Sequence, residues 1–191
     1  RVGQATFTFR PDGPIAASFN VLGADWEPGA APLDASLTDP GHNSFSATHV
    51  AVVLSSGSTV DVCFNQLTLV WDNDLDDAQY CISGGGVRDA LDEGFVSVSG
   101  KVTALFDSAA LLNKILEDAD CSLVITVQRG TGDGSVGNEK VVFTVPKISF
   151  EPTAPQVNGP RGVTLQANWQ AHRDTGELEA KVEVFNARAA V

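Results

Sequence analysis

Residues 163–172 alternate without a break: Val163, Leu165, Ala167, Trp169 and Ala171 fall on one side, Thr164, Gln166, Asn168, Gln170 and His172 on the other. A period of two sustained this long belongs to a strand with one face buried and one wet, and it cannot be wound into an amphipathic helix. Leu178, Ala180, Val182 and Val184 repeat the pattern against Glu177, Glu179, Lys181 and Glu183, after an Asp174-Thr175-Gly176 turn. The two runs together predict a closing hairpin with one apolar and one polar face.

The same period opens the chain. Ala5, Phe7 and Phe9 face away from Thr6 and Thr8, and after Pro11-Asp12-Gly13 the residues Ile15, Ala17, Phe19 and Val21 share an apolar side. This predicts a first hairpin. Further strands are expected over 47–54, 58–71, 95–106, 122–129 and 140–150. Within 58–71 the apolar face passes from Val60, Val62 and Phe64 to Leu67, Leu69 and Trp71, so a β-bulge is expected near Asn65-Gln66. Gly100 in the middle of a strand marks a bend or a close backbone approach.

Only 107–119 reads as helix. Asp107 or Ser108 can cap it, and Leu111, Leu112, Ile115, Leu116 and Ala119 form one stripe. A helix this short must dock on a sheet. About nine strands with one helix and no βαβ rhythm predict a mainly β fold over a single domain, 1–191. The architecture expected is an antiparallel sandwich or partial barrel with that helix at its flank. Residues 23–46 are rich in Pro, Gly, Ala and Asp without periodicity, and a loop this long is a candidate arm between subunits. Trp26 within it is expected to dock on a neighbour.

The net charge of −12 is unevenly spread. Residues 72–93 hold Asp72, Asp74, Asp76, Asp77, Asp89, Asp92 and Glu93 against Arg88 alone. Such a chain does not hold nucleic acid through phosphate contacts, though it can repel DNA from its surface. A solvated, solubilising face explains the same acids. Cys63, Cys81 and Cys121 show no metal-ligand spacing and read as free thiols of a reducing compartment. No apolar run is long enough to cross a bilayer as a helix. With no Met at all, and Arg1 first, the chain is expected to start inside a longer gene product or after processing.

Chemistry finds little purchase. Gly132 to Gly137 matches GxGxxG, but strands lie on both sides where a dinucleotide site needs a following helix. Asp72, Asp74 and Asp76 have the spacing of the first three ligands of a calcium loop, yet Asp77 and Ser83 stand where that loop needs Gly and Glu. His42, His49 and His172 lack metal spacing, and Ser135 has Asp133 where a nucleophile elbow needs Gly. No catalytic set and no cofactor are expected. Trp71 and Trp169 fall on apolar strand faces, which favours core packing over an exposed aromatic platform.

One ordering resembles a known family. Leu67-Thr68-Leu69-Val70-Trp71 ends in Asp72-Asn73-Asp74-Leu75; Tyr80 and the turn to Gly86 follow, then the Arg88–Gly94 link and the strand Val96 to Val102. The helix after Phe106, the run Val145-Pro146-Lys147-Ile148-Ser149-Phe150, the Pro155–Pro160 link and the last two strands keep the same order. Over residues 60–186 this resembles the major tail tube proteins of siphophages, and residues 1–22 look like the hairpin that precedes this region in longer members. Asp74 stands where the family often has Gly, and the 84–94 link is more acidic than the family's.

The resemblance implies a subunit of a bacteriophage tail, made in the bacterial host cytoplasm, with no enzymatic activity and no membrane partner. Hexameric rings would stack into a tube, neighbouring sheets joined edge to edge, and DNA would pass along the lumen without specific binding. Its partners would be other copies of itself and tail proteins such as the tape measure and the terminator. Lumen-facing candidates are Thr164, Gln166, Asn168 and Gln170, or Glu177, Glu179 and Glu183. Trp26, Asp76, Asp77, Asp89, Asp92 and Glu93 are candidates for contacts between subunits. A secreted carbohydrate-binding or adhesin sandwich is the rival of another class, and a terminator, a decoration protein or a secretion-system tube the rival within assembly proteins.

Overall fold

The computed structural model describes residues 1–23, 43–76, 78, 91–107, 109–157, 162–173 and 178–187. Among them, eleven strands form one antiparallel sheet that folds over on itself. The strands are β1 (Val2–Phe9), β2 (Ala16–Val21), β3 (Val50–Ser56), β4 (Ser58–Val60), β5 (Phe64–Asp72) and β6 (Ser97–Leu105), then β7 (Cys121–Gln128), β8 (Lys140–Phe150), β9 (Gln156–Val157), β10 (Val163–Ala171) and β11 (Lys181–Phe185). One helix, α1 (Ala110–Leu116), joins β6 to β7. The order across the sheet is β2-β1-β5-β6-β10-β8-β7-β3-β4, with β9 on β10 and β11 on β8.

β8 makes the fold-over. Its last residues, Ile148 to Phe150, pair with Ala171 to Trp169 of β10, while Lys140 to Thr144 pair with β11. A first leaf (β2-β1-β5-β6-β10) and a second (β11-β8-β7-β3-β4) thus share one corner strand. They meet face to face: the Phe7 ring of β1 lies 4.8 Å from that of Phe143 on β8, and Phe9 lies 6.1 Å from it. Leu67, Leu69, Val102, Leu165 and Trp169 from one leaf and Leu54, Leu123, Ile125 and Val145 from the other close a single core. Each large apolar side chain fully buried there contributes about 1.5–3 kcal/mol.

Two bulges keep apolar residues inward. The β5–β6 register slips between Phe64 and Gln66, where the change of parity predicts it. A second slip, between Cys121 and Leu123 against Ile148 and Val145, sets an extra residue at Pro146-Lys147. Pro146 has no N–H for a ladder, so a bulge is where it fits. Phe143 and Val145 before it and Ile148 and Phe150 after it are consequently all buried.

Three expectations need correction. β10 and β11 do not form a hairpin: among the described residues β11 pairs with β8, because β10 already carries β9 at Val163-Thr164 and β8 at Trp169–Ala171 on that edge. Of the apolar side of this last run only Ala180 reaches the core, while Leu178, Val182 and Val184 are exposed. Ile15 is half-buried, but every residue of β2 is exposed, and Phe19 touches only the edge of the Phe7 ring, at 5.9 Å. The helix runs over Ala110–Leu116 rather than 107–119; its N-cap is Ala109, without a side-chain cap bond. Leu111 and Ile115 enter the core while Leu116 is exposed, and Asp118 at φ 48° turns the chain out of the helix.

Candidate assembly interface

The outer face of the first leaf is a polar ladder. Register places Ser18, Thr6, Val70, Ser99 and Gln170 in one row across all five strands. Ala16, Thr8, Thr68, Lys101 and Asn168 form the next. Beyond them Gln66, Thr103 and Gln166 align on one side, and Asn20, Gln4, Asp72 and Ser97 on the other. Charge on these strands is confined to Lys101 and Asp72, although the whole chain carries −12. The Nδ2 of Asn168 donates to Glu151 Oε2 at 2.7 Å.

The two sets of lumen candidates therefore separate. Gln166, Asn168 and Gln170 are exposed on this ladder, with Thr164 half-buried beside them. Glu183 lies on the second leaf, opposite Val142, and its Oε1 accepts from Lys181 at 2.8 Å. Glu179 is half-buried, and Glu177 lies outside the described residues.

The inner side of the first leaf runs out of cover at β2. Phe19 is 55% and Val21 64% exposed, although both lie on strand positions that alternate as core. Among the described residues β2 has a neighbour on one edge only, so it presents unpaired backbone groups and uncovered apolar side chains together. At the far end of the second leaf β4 has three residues, and it leaves the outer edge of Val50–Val53 unpaired among the described strands.

The acidic segment begins as an extension of β5 and β6. Beyond Asp72, Leu75 bridges to Glu93, the Asp76 amide donates to the Asp92 carbonyl at 3.0 Å, and the Gly94 amide to the Asp74 carbonyl at 3.0 Å. Arg1 Nη1 meets Glu93 Oε1 at 3.0 Å. Asp72 accepts from Gln4 Nε2 and from the Asp74 amide, each at 2.9 Å, and Asp76 accepts from the Ala78 amide at 2.9 Å. These carboxylates serve the turn, and among the described residues no group of three or more metal-ligating side chains comes together. Asp76, Asp92 and Glu93 are exposed at this end of the leaf; Trp26, Asp77 and Asp89 lie outside the described residues.

Of the 23–46 segment, the end Asn43–Ser46 is described. Arg129 Nη2 donates to the carbonyls of Asn43 and Ser44 at 3.0 and 2.9 Å, and its guanidinium stands 5.1 Å over the Phe45 ring. Residues 130–138 are the connection between β7 and β8, so the GxGxxG match lies between strands. There Asp133 accepts from the Ser135 hydroxyl at 2.6 Å and the Ser135 amide at 2.9 Å, which hold its carboxyl below the usual range. His49 Nδ1 accepts from the Ser46 amide at 3.1 Å and caps a short 3₁₀ turn; His172 is exposed.

Sequence reasoning missed Phe95, which is 92% exposed two residues before β6. The signal was its place directly after Glu93-Gly94, outside the alternation of the strand that follows.

A folded-over sheet with one polar, sparsely charged face and strand edges uncovered among the described residues defines a structural β-protein built for assembly. A model of the phage tail tube protein family matches residues 1–171, and the chain belongs to that family. It is a structural component of the virion tail, a role that involves assembly with other copies and other tail proteins. No curated protein matches it.

Proposed function

We propose that this chain is the repeating subunit of a tail tube: six copies close a ring, rings stack, and the outer face of the first leaf lines the channel that conducts DNA. The observation that carries the reading is the polar ladder from β2 to β10. A duplex moving past a wall must neither bind it nor be held off centre by it. Lys101 is the one cation on these strands, matched in number by Asp72, and the Ser, Thr, Asn and Gln around it offer phosphates no fixed charge to bind through counterion release. The acids elsewhere on the chain add a repulsive field that opposes DNA adsorption.

Ring closure uses the edges. The free edge of β2, with Phe19 and Val21 uncovered, is suited to pair with a strand edge of the next subunit, which buries the apolar side chains and removes the edge. The reading assigns no catalytic role to the chain. Negative-stain electron microscopy of the concentrated protein at neutral pH tests it. Hollow filaments of stacked rings are the expected result, and a monomer at every concentration would overturn it.

A further inference from the structure

A pocket and a projecting ring occupy opposite ends of the first leaf. The pocket, of about 240 Å³, opens where β1 ends and β5 begins; Phe9, Val50, Val62 and Phe64 line it together with the polar Arg10, Asn65 and Gln66. An apolar cavity of roughly 150 Å³ already holds a benzene, so a phenyl ring fits here with space for its attachment. At the other end of β5, past Asp72, Phe95 stands 92% exposed. The nine residues of β5 separate the two features by about 30 Å.

Phe95 is presented on a bonded base. The Gly94 amide is tied to the Asp74 carbonyl at 3.0 Å, and a β-carbon at Gly94 would come 2.6 Å from Asp74 Oδ2, so the approach is close and the ring's root is fixed. A large apolar group held out in water on an ordered base is preorganised for burial elsewhere. The charges agree with a pocket of this kind: Asp74 and Asp92 flank Phe95, beside Glu93 that Arg1 already pairs, whereas Arg10 sits at the pocket. Among the described residues Arg10 takes part in none of the ion pairs.

From this we infer that Phe95 of one copy inserts into the Phe9–Phe64 pocket of a second copy, with Arg10 meeting the acids around Phe95. Knob and socket lie at opposite ends of one strand, so the contact is head to tail; where strand edges close the ring, the strand ends face the rings above and below, and a contact between them extends the stack. It is thus the contact from ring to ring, and it rests on the stacked-ring reading. The occupant is a second copy because the complementary shape and charge are both present on this chain.

The test is a cross-link. In a Cys63→Ser, Cys81→Ser background, Phe95→Cys is combined with Gln66→Cys, which lines the pocket, and assembled protein is oxidised. A ladder of trimers and longer chains on a non-reducing gel is expected, absent from either single variant. Independently, Phe95→Ala is expected to raise the concentration needed for filaments by about tenfold or more, with Arg10→Glu acting in the same direction. Filaments of the double-cysteine protein that give no ladder, together with a Phe95→Ala protein that assembles like its parent, overturn the contact and leave the tube intact. If the unmutated chain forms no filaments at all, the tube reading and this contact fall together.

Discussion

Trp169 on β10 stands directly opposite Gly100 on β6, and a β-carbon at position 100 would sit 2.6 Å from the indole Cζ2. The Thr68 carbonyl oxygen closes the same space from β5. A glycine is therefore the condition for seating the largest core side chain, 1% exposed, where the first leaf meets the corner strand. Gly100→Ala is expected to destabilise the fold by about 1–3 kcal/mol through overpacking, read as a lower midpoint in chemical denaturation. Pairing it with Trp169→Phe should recover part of that loss. The indole Nε1 is buried without a hydrogen-bond partner, so the phenyl ring gives up shape rather than a bond.

The thiols separate by burial. Cys121 is buried at the start of β7, and removal from water pushes its pKa up; Cys63 is exposed. In a Cys81→Ser protein a thiol reagent is expected to modify Cys63 in the native state and Cys121 only after unfolding. The sign of the pH dependence follows. The folded state holds the Cys121 proton more tightly than the unfolded chain, so this contribution is fully present below the unfolded thiol pKa of about 8.5. It is lost as pH rises through the raised folded value. Denaturation midpoints should fall above that pH in the parent and fall less in Cys121→Ala; equal slopes would remove the argument.

What could be read from the sequence depended on whether the property is local. Alternation showed which residues of β1 and β10 share a face, and the parity change at Asn65 marked a bulge. The same signal, Phe143 and Val145 against Ile148 and Phe150, marks the bulge at Pro146. Alternation does not name a neighbour, so the pairing of β11 with β8 was hidden. It also cannot tell a face covered by its own chain from one left uncovered. Phe19 and Val182 therefore looked like core and are 55% and 40% exposed. Of the two lumen candidate sets, only the register showed that Gln166 and Asn168 lie on a five-strand polar face and Glu183 on the other leaf.

The β2 edge offers a test of ring closure. Phe19→Lys places a charge on an exposed strand where the ring at 19 meets the Phe7 ring edge-on, so stability should change by no more than about 1 kcal/mol, that ring contact being its main loss. Sedimentation should then find the protein folded and unable to form rings, because an edge lysine is a common device against strand pairing. Rings at wild-type yield would exclude β2 from the interface.

The polar ladder makes the sharpest functional prediction. Gln166, Asn168 and Gln170 are exposed on β10, and their replacement by Lys leaves the inward residues Leu165, Ala167 and Trp169 untouched. Folding and ring formation should survive. A ring of six such subunits would carry eighteen added cations on the proposed channel wall, and each phosphate contact releases a counterion. Assembled tubes of the triple variant are therefore expected to bind duplex DNA at low salt and to release it steeply as salt rises. The parent tube should bind little at any salt. The matching control puts Lys at Glu183, on the second leaf, where a gain of two positive charges per subunit against the triple variant's three should not retain DNA inside the tube. DNA retained equally by both variants, with protection from nuclease in neither, would show that the ladder faces away from the channel.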